Sequence, residues 1–298
     1  MATAVSAPEG SGAAGPPTRK GQPPTVDRVT WAGLAGVLRE QSWSLNCYID
    51  AREAGGSYRG RPKERDPNEP PRVRDGLGPI DPVRSQAESA RRARAHLRRF
   101  CASHRLIRML TTTYAEANHC PTQVREDAAA FFKALRYRLG GNAFPYAFAP
   151  ELHPGGHGFH LHAAVGAWIP RSTITAAWGR GFTNIRLISH LPVGSGRVGE
   201  ARVVGNYMGK VVGNYLGKDL GRNVDGTDTL GVSRLKHQHA YEVAQGYPIR
   251  TIRLNGPTSQ SVLEQANEQM GGKPHRIWRS DENPDWDGPP VLWAQWPG

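Results

Sequence analysis

Two apolar segments, Tyr146 to Leu152 and Phe159 to Ile169, are separated by a turn containing Pro154-Gly155-Gly156, and this leaves residues 146–169 little conformational choice. Such runs flanking a Pro-Gly-Gly turn predict an antiparallel β-hairpin. Side-chain parity then follows, because successive residues of a strand point to opposite faces. His160 and His162 share one face, and Leu161 points the other way, into a core. Glu151 lies on the partner strand, and a register setting it opposite His160 brings its carboxylate to the histidine face.

Two imidazoles on a rigid strand suit a divalent metal ion, with a third protein ligand needed to complete the set. Glu151 is one candidate and His153 another. Imidazoles plus a carboxylate, with positions left for water or a phosphate oxygen, fit Mn²⁺ or Mg²⁺, and Mn²⁺ is the better match to nitrogen. His157 has the wrong parity for the His160 face and reads as an exposed turn residue. A His-x-His alone is a weak signal, since many such pairs are surface or core histidines.

The charge balance narrows the partner. Among 298 residues, 38 Lys and Arg against 26 Asp and Glu leave a net charge of +12 and a pI near 10. That excess calls for a polyanion, either nucleic acid or an acidic membrane surface. No apolar run is long enough to span a bilayer, and no basic-then-apolar signal pattern opens the chain. Nucleic acid, no membrane, and a cytoplasmic location are therefore expected. The cysteines Cys47, Cys101 and Cys120 show no C-x-x-C pairing, so neither a disulfide framework nor a structural zinc site is expected.

Along the chain, residues 1–25 are rich in Ala, Gly, Pro and Ser, and predict a disordered tail. Residues 26–82 form an N-terminal extension, with helical spacing at Trp31, Leu34, Val37 and Leu38, then a basic Gly/Pro-rich loop over 55–82. The main domain is expected over 83–254. It opens with a helix from Pro82 to Ser103 bearing Arg84, Arg91, Arg92, Arg94, Arg98 and Arg99, whose bland reading is a solvated face and whose functional one is DNA phosphate contact. A strand is expected within Arg105 to Tyr114. A helix over Gln123 to Leu139 is stopped by Gly140-Gly141, a strand runs from Thr183 to Ile188, and a helix spans Gly199 to Lys218. Residues 255–298 read as a polar, irregular tail. Its Trp278, Trp286, Trp293 and Trp296 either dock back on the domain or meet a partner, docking being preferred.

The last helix of the main domain carries a duplication, Gly205-Asn206-Tyr207-Met208-Gly209-Lys210 followed by Gly213-Asn214-Tyr215-Leu216-Gly217-Lys218. Eight residues are a little over two helical turns, so Tyr207 and Tyr215 lie on broadly one side. Lys210 and Lys218 each follow a tyrosine by three and share its face. A phenol with a pKa near 10 needs a cation nearby to become a competitive nucleophile, which the lysines offer. The bland alternative is Tyr packing with snorkelling Lys. Four glycines suit a simple amphipathic helix poorly, and suggest backbone movement or close approach of a bulky substrate.

Taken in order, Leu110-Thr-Thr-Thr-Tyr114, His160-Leu161-His162, Tyr207-x-x-Lys210 and Tyr215-x-x-Lys218 resemble the motifs of rolling-circle replication initiators, members of the endonucleases named for their His-hydrophobic-His (HUH) motif. Trp178-Gly179-Arg180-Gly181-Phe182 and His239 to Gly246 resemble the same family. The two-tyrosine pattern there spaces tyrosines by four, whereas position 211 is valine here and the second tyrosine comes at 215. The resemblance implies an α+β, ferredoxin-like fold with a central antiparallel sheet backed by helices. It also implies a metal held by the histidines and usually a carboxylate, with tyrosine attack on DNA giving a 5′-phosphotyrosine and a free 3′-OH primer.

The implied substrate is single-stranded or supercoiled DNA at a replication origin of a plasmid or phage. Host polymerase would extend the primer. A host helicase would unwind, since no Walker-type phosphate loop is present. Conjugative relaxases and single-strand transposases share these motifs, although relaxases usually carry a third histidine and an N-terminal tyrosine. A non-catalytic basic DNA-binding protein is the remaining alternative.

Overall fold

The computed structural model describes residues 42–59, 82–153, 157–187, 196–218, 241–284, 286 and 289–298, with the side chains of 82–86 and 211–218 outside that description. The expected disordered tail, the short helix near Trp31 and most of the basic loop fall on residues outside the described set. What is described is a mixed α+β structure of two five-stranded antiparallel sheets and five α-helices.

The first sheet joins the two ends of the chain. Strands β1 (Ser42–Tyr48) and β2 (Glu53–Arg59) pair as a hairpin, β8 (Thr251–Gly256) adds beside β1, and β10 (Val291–Gln295) then β9 (Arg276–Arg279) add beside β2. One face of this sheet is covered by helix α5 (Ser259–Met270), burying Leu45, Cys47, Ala54, Leu254, Leu263, Leu292 and Trp296. Thr258 caps α5 by accepting from the Ser261 backbone N–H, and Gly271 ends it in the left-handed region. Residues 255–298, expected as an irregular tail, are thus half of a packed sheet-and-helix layer, and β8 crosses the expected boundary at 254. The preferred docking of the tail tryptophans holds for Trp296, which is fully buried.

The second sheet has the order β6-β3-β5-β4-β7 and lies close to the sequence expectation. Its members are β3 (Arg108–Thr113), β4 (Tyr146–Leu152), β5 (Phe159–Val165), β6 (Thr183–Leu187) and the short edge β7 (Glu242–Val243). Parity sorts its side chains onto two cores. Leu110, Phe148, Leu161, Ala163 and Val165 pack on helices α2 (Pro121–Arg138) and α3 (Arg171–Trp178). Met109, Ala147, Ala149 and Ala164 pack on α1 (Pro82–Ser103) and α4 (Gly196–Lys218).

Helices α1 and α4 pack tightly on each other and also tie the two sheets together. Arg98 and Arg99 donate to the buried Glu53 carboxylate of β2, both at 2.8 Å. Arg202 of α4 donates to the backbone oxygens of Ala51, Arg52 and Trp296. Among the described residues, no helix is long and apolar enough to cross a membrane.

Candidate metal centre

The register of β4 and β5 sets Glu151 directly opposite His160 and Ala149 opposite His162. Both imidazoles leave the sheet on the α4 side, while Leu161 is buried in the opposite core. His160 Nε2 and His162 Nε2 stand 2.9 Å apart, and each lies close to Glu151 Oε2, at 3.1 and 3.0 Å. Glu151, His160 and His162 form a group whose ligand atoms converge on one point, and that group could hold a metal ion.

The donor triangle is a good fit to a divalent ion. Donors about 2.1 Å from an ion and at right angles around it are about 3.0 Å apart, whereas tetrahedral angles open that spacing to about 3.4 Å. The triangle therefore matches one face of an octahedron. The same spacings let imidazole N–H groups donate to Glu151. Hydrogen bonds from His160 and then His162 hold its carboxyl far below the usual carboxylate range, against the opposing effect of burial.

On the other side, β3 lies against β5 with Thr111 opposite His162 and Thr113 opposite His160. Thr111 Oγ1 is 3.2 Å from His162 Nδ1. With an ion bound, an Nδ1–H donating there would free the His162 Nε2 lone pair for the metal; without one, it is Nε2–H that faces the Glu151 carboxylate. The threonine strand thus takes part in the centre, a role for Thr111 that became visible only with the β3–β5 register in place.

One of the two candidate tyrosines, Tyr207, reaches the same face. Tyr207 is about half exposed, and its ring meets that of His162 edge-on at 5.7 Å. Lys210 is exposed one turn further along α4. The helix continues through Tyr215 to Lys218, whose side chains are outside the described residues. His153 is exposed, with its ring 5.9 Å from that of His160, and does not join the ligand cluster; His157 is exposed, as its parity predicts.

Gly205 and Gly209, the first two glycines of the duplicated motif, have a different role from the one expected, while the surroundings of Gly213 and Gly217 lie outside the described residues. A Cβ at Gly205 would stand 2.6 Å from the Arg98 Cα of α1, and one at Gly209 would stand 3.1 Å from the Arg94 side chain. They are the seam along which α1 and α4 approach, not a site of substrate approach. Because Tyr207 is offset by two residues from each glycine, the seam directs it away from α1.

The expected phosphate-binding arginines divide. Arg98 and Arg99 are committed to Glu53, Arg91 pairs with Glu88 at 2.7 Å, and Arg92 and Arg94 are exposed; the Arg84 side chain lies outside the described residues. The Trp178 to Phe182 segment is a structural latch. Trp178 Nε1 donates to Thr113 O, and Phe182 exchanges backbone hydrogen bonds with Thr113. Gly181 sits so close to this backbone that a Cβ would lie 2.3 Å from Thr113 O.

Comparison with protein-family models, with curated proteins and with solved structures finds no significant match to this chain.

Proposed function

We propose that the chain is a rolling-circle replication initiator of the HUH class, a metal-dependent nicking and joining enzyme acting on single-stranded DNA through Tyr207. The observation that carries this is the placement of a tyrosine ring edge-on to His162 of the Glu151–His160–His162 triangle. A tyrosine beside a divalent-metal face is the pairing that phosphodiester transfer requires.

Glu151, His160 and His162 would hold Mn²⁺ or Mg²⁺, which supplies Lewis-acid polarisation of a phosphate oxygen. Thr111 Oγ1, 3.2 Å from His162 Nδ1, would accept the Nδ1–H of a metal-bound His162, and Leu161 anchors the strand between the two ligands. The half-exposed phenol of Tyr207 attacks phosphorus, forming a tyrosine–phosphate bond as the bond to the 3′ oxygen breaks. The phenol proton is lost and the 3′ oxygen gains one, leaving a 3′-hydroxyl. Lys210, on the exposed side of α4, contributes positive charge near the phenolate. Tyr215 and Lys218, two turns along the same helix, are the second pair that would release the covalent link.

A carboxylate in third place, with His153 outside the cluster, favours an initiator over the three-histidine relaxase pattern. The origin of the natural replicon, host polymerase and helicase are the partners implied. The test is nicking of supercoiled plasmid bearing that origin, with Mn²⁺ added. Open circles are expected from the wild type and none from a His160→Ala/His162→Ala double variant. Nicking by the double variant at the wild-type rate would overturn the metal assignment, and binding without nicking by the wild type would leave only a DNA-binding protein.

A further inference from the structure

A cleft of about 1450 Å³ runs between the outer side of α1 and the β2–β10–β9 part of the first sheet. It is separate from the metal triad, none of whose residues lines it. Its α1 wall carries Arg92 and Arg94, both exposed, and its sheet wall carries Arg276, Trp278 and Trp293, with Trp286 beside them. The single carboxylate among its lining residues, Glu88, is paired with Arg91 at 2.7 Å. Among the described residues, Arg92 and Arg94 have no ion-pair partner.

The aromatic wall is ordered by its own contacts. Trp278 and Trp286 meet edge-to-face at 5.6 Å, and Trp286 Nε1 donates to Pro289 O at 2.9 Å. That bond satisfies the polar edge of the indole, while 41% of the residue is exposed. Trp293 lies within 6.0 Å of the Arg98 guanidinium and 5.6 Å of the Arg276 guanidinium. Gly55 keeps the floor low. A Cβ there would already touch Trp293 at 3.5 Å and Arg99 at 3.7 Å, so any larger side chain would fill the space between the walls.

Cations along one wall and indoles along the other are the two components of a single-strand groove: arginines follow the phosphates while indoles stack on bases. Paired bases already stack on each other and present no free face, so a duplex could use the charge but not the tryptophans. We propose that this cleft is a second, non-catalytic binding site for single-stranded DNA, with Arg92, Arg94 and Arg276 on the phosphates and Trp278 and Trp286 on the bases. That the strand is DNA instead of RNA rests on the function proposed above; the charge and the stacking surface stand independently of it.

The test is fluorescence anisotropy of the full chain with labelled dT15 in EDTA, so that no metal-dependent chemistry intervenes. Arg92→Glu should weaken binding at least tenfold, and Trp286→Ala about five- to a hundredfold. Arg92→Ala should lower the slope of log affinity against log salt by about 0.7, the signature of one lost phosphate contact, whereas Trp286→Ala should leave that slope in place. Arg138→Glu, the same charge change on the exposed side of α2, should have less than a threefold effect. Wild-type affinity in both Arg92→Ala and Trp286→Ala would overturn the proposal, as would tighter binding of rU15 or of a duplex of equal length. Cleft-dependent binding by a protein that never nicks would sink the nuclease function and leave the cleft assignment standing.

Discussion

The ring of Tyr207 meets the imidazole of His162 at 78°, with centroids 5.7 Å apart. This contact joins a helix to a strand, and therefore the proposed nucleophile to the candidate metal face. Its geometry depends on two separate packings. The Gly205 and Gly209 seam sets the rotation of α4, and the β3–β5–β4 register sets the triad.

The triad itself is the simplest thing to challenge. Mn²⁺ titrated into the wild type by calorimetry should show one site, and Glu151→Ala or His160→Ala should abolish it. Mn²⁺ at about a hundred times its dissociation constant should stabilise the wild type by about 2.7 kcal/mol and leave either variant unmoved. Affinity should fall as the buffer is acidified, because protons and the ion compete for the same ligand atoms.

Thr111→Val removes the oxygen 3.2 Å from His162 Nδ1 while keeping the side-chain shape. Metal affinity should drop roughly 10- to 100-fold, with denaturant stability of the metal-free protein changed by less than about 1 kcal/mol. A variant binding Mn²⁺ as tightly as the wild type would show that Thr111 does not set the tautomer.

Gly205 and Gly209 should respond differently to alanine. In an open helix each change would stabilise by about 1 kcal/mol through propensity. At Gly205 the new Cβ meets backbone at 2.6 Å, which cannot retreat, so a net loss of about 1–3 kcal/mol is expected in urea unfolding. At Gly209 the neighbours are Cγ, Cβ and Cα of Arg94 at 3.1–3.4 Å, which need yield only a few tenths of an ångström, so strain should offset the propensity gain and the change should be close to neutral.

Much of the second sheet was legible in the sequence for a physical reason. The β4–β5 turn is short, so the apolar runs alone set the pairing, and period-two parity put Glu151, His160 and His162 on one face. The first sheet was not legible. Its pairings, such as Trp43 with Gly256 and Ser57 with Val291, link opposite ends of the chain, and β2 reads Glu-Ala-Gly-Gly-Ser-Tyr-Arg, with no apolar alternation. Gly205 and Gly209 were visible but misassigned, because sequence cannot show which helix will press against them. Arg98 and Arg99 looked like their exposed neighbours until Glu53 arrived from 45 residues upstream.

That Glu53 cluster gives a pH signature. Burial alone would raise the Glu53 carboxyl, but the hydrogen bond and charge of Arg98, with the charge of Arg99, outweigh it and hold the group below its ordinary range. A depressed folded-state value means stability that is present above the unfolded carboxylate range, near 4.3, and is lost as pH falls through the folded value. Glu53→Gln should cost about 3–5 kcal/mol at pH 7 by stranding two guanidinium groups, and should flatten the stability profile below pH 4.3. Urea melts across pH 3–7 would measure both effects.

The covalent step is open to one direct measurement. A randomised pool of single-stranded DNA carrying a 3′-end label is incubated with the protein and Mn²⁺, then resolved under denaturing conditions. Attack by Tyr207 on phosphorus with departure of the 3′ oxygen keeps the downstream, 3′-labelled fragment on the protein. Label should therefore migrate with the wild-type chain, vanish in EDTA and with His160→Ala/His162→Ala, and fall at least a hundredfold with Tyr207→Phe. Failure of the wild type to capture label, or undiminished capture by the histidine double variant, would contradict a metal-dependent tyrosine nuclease.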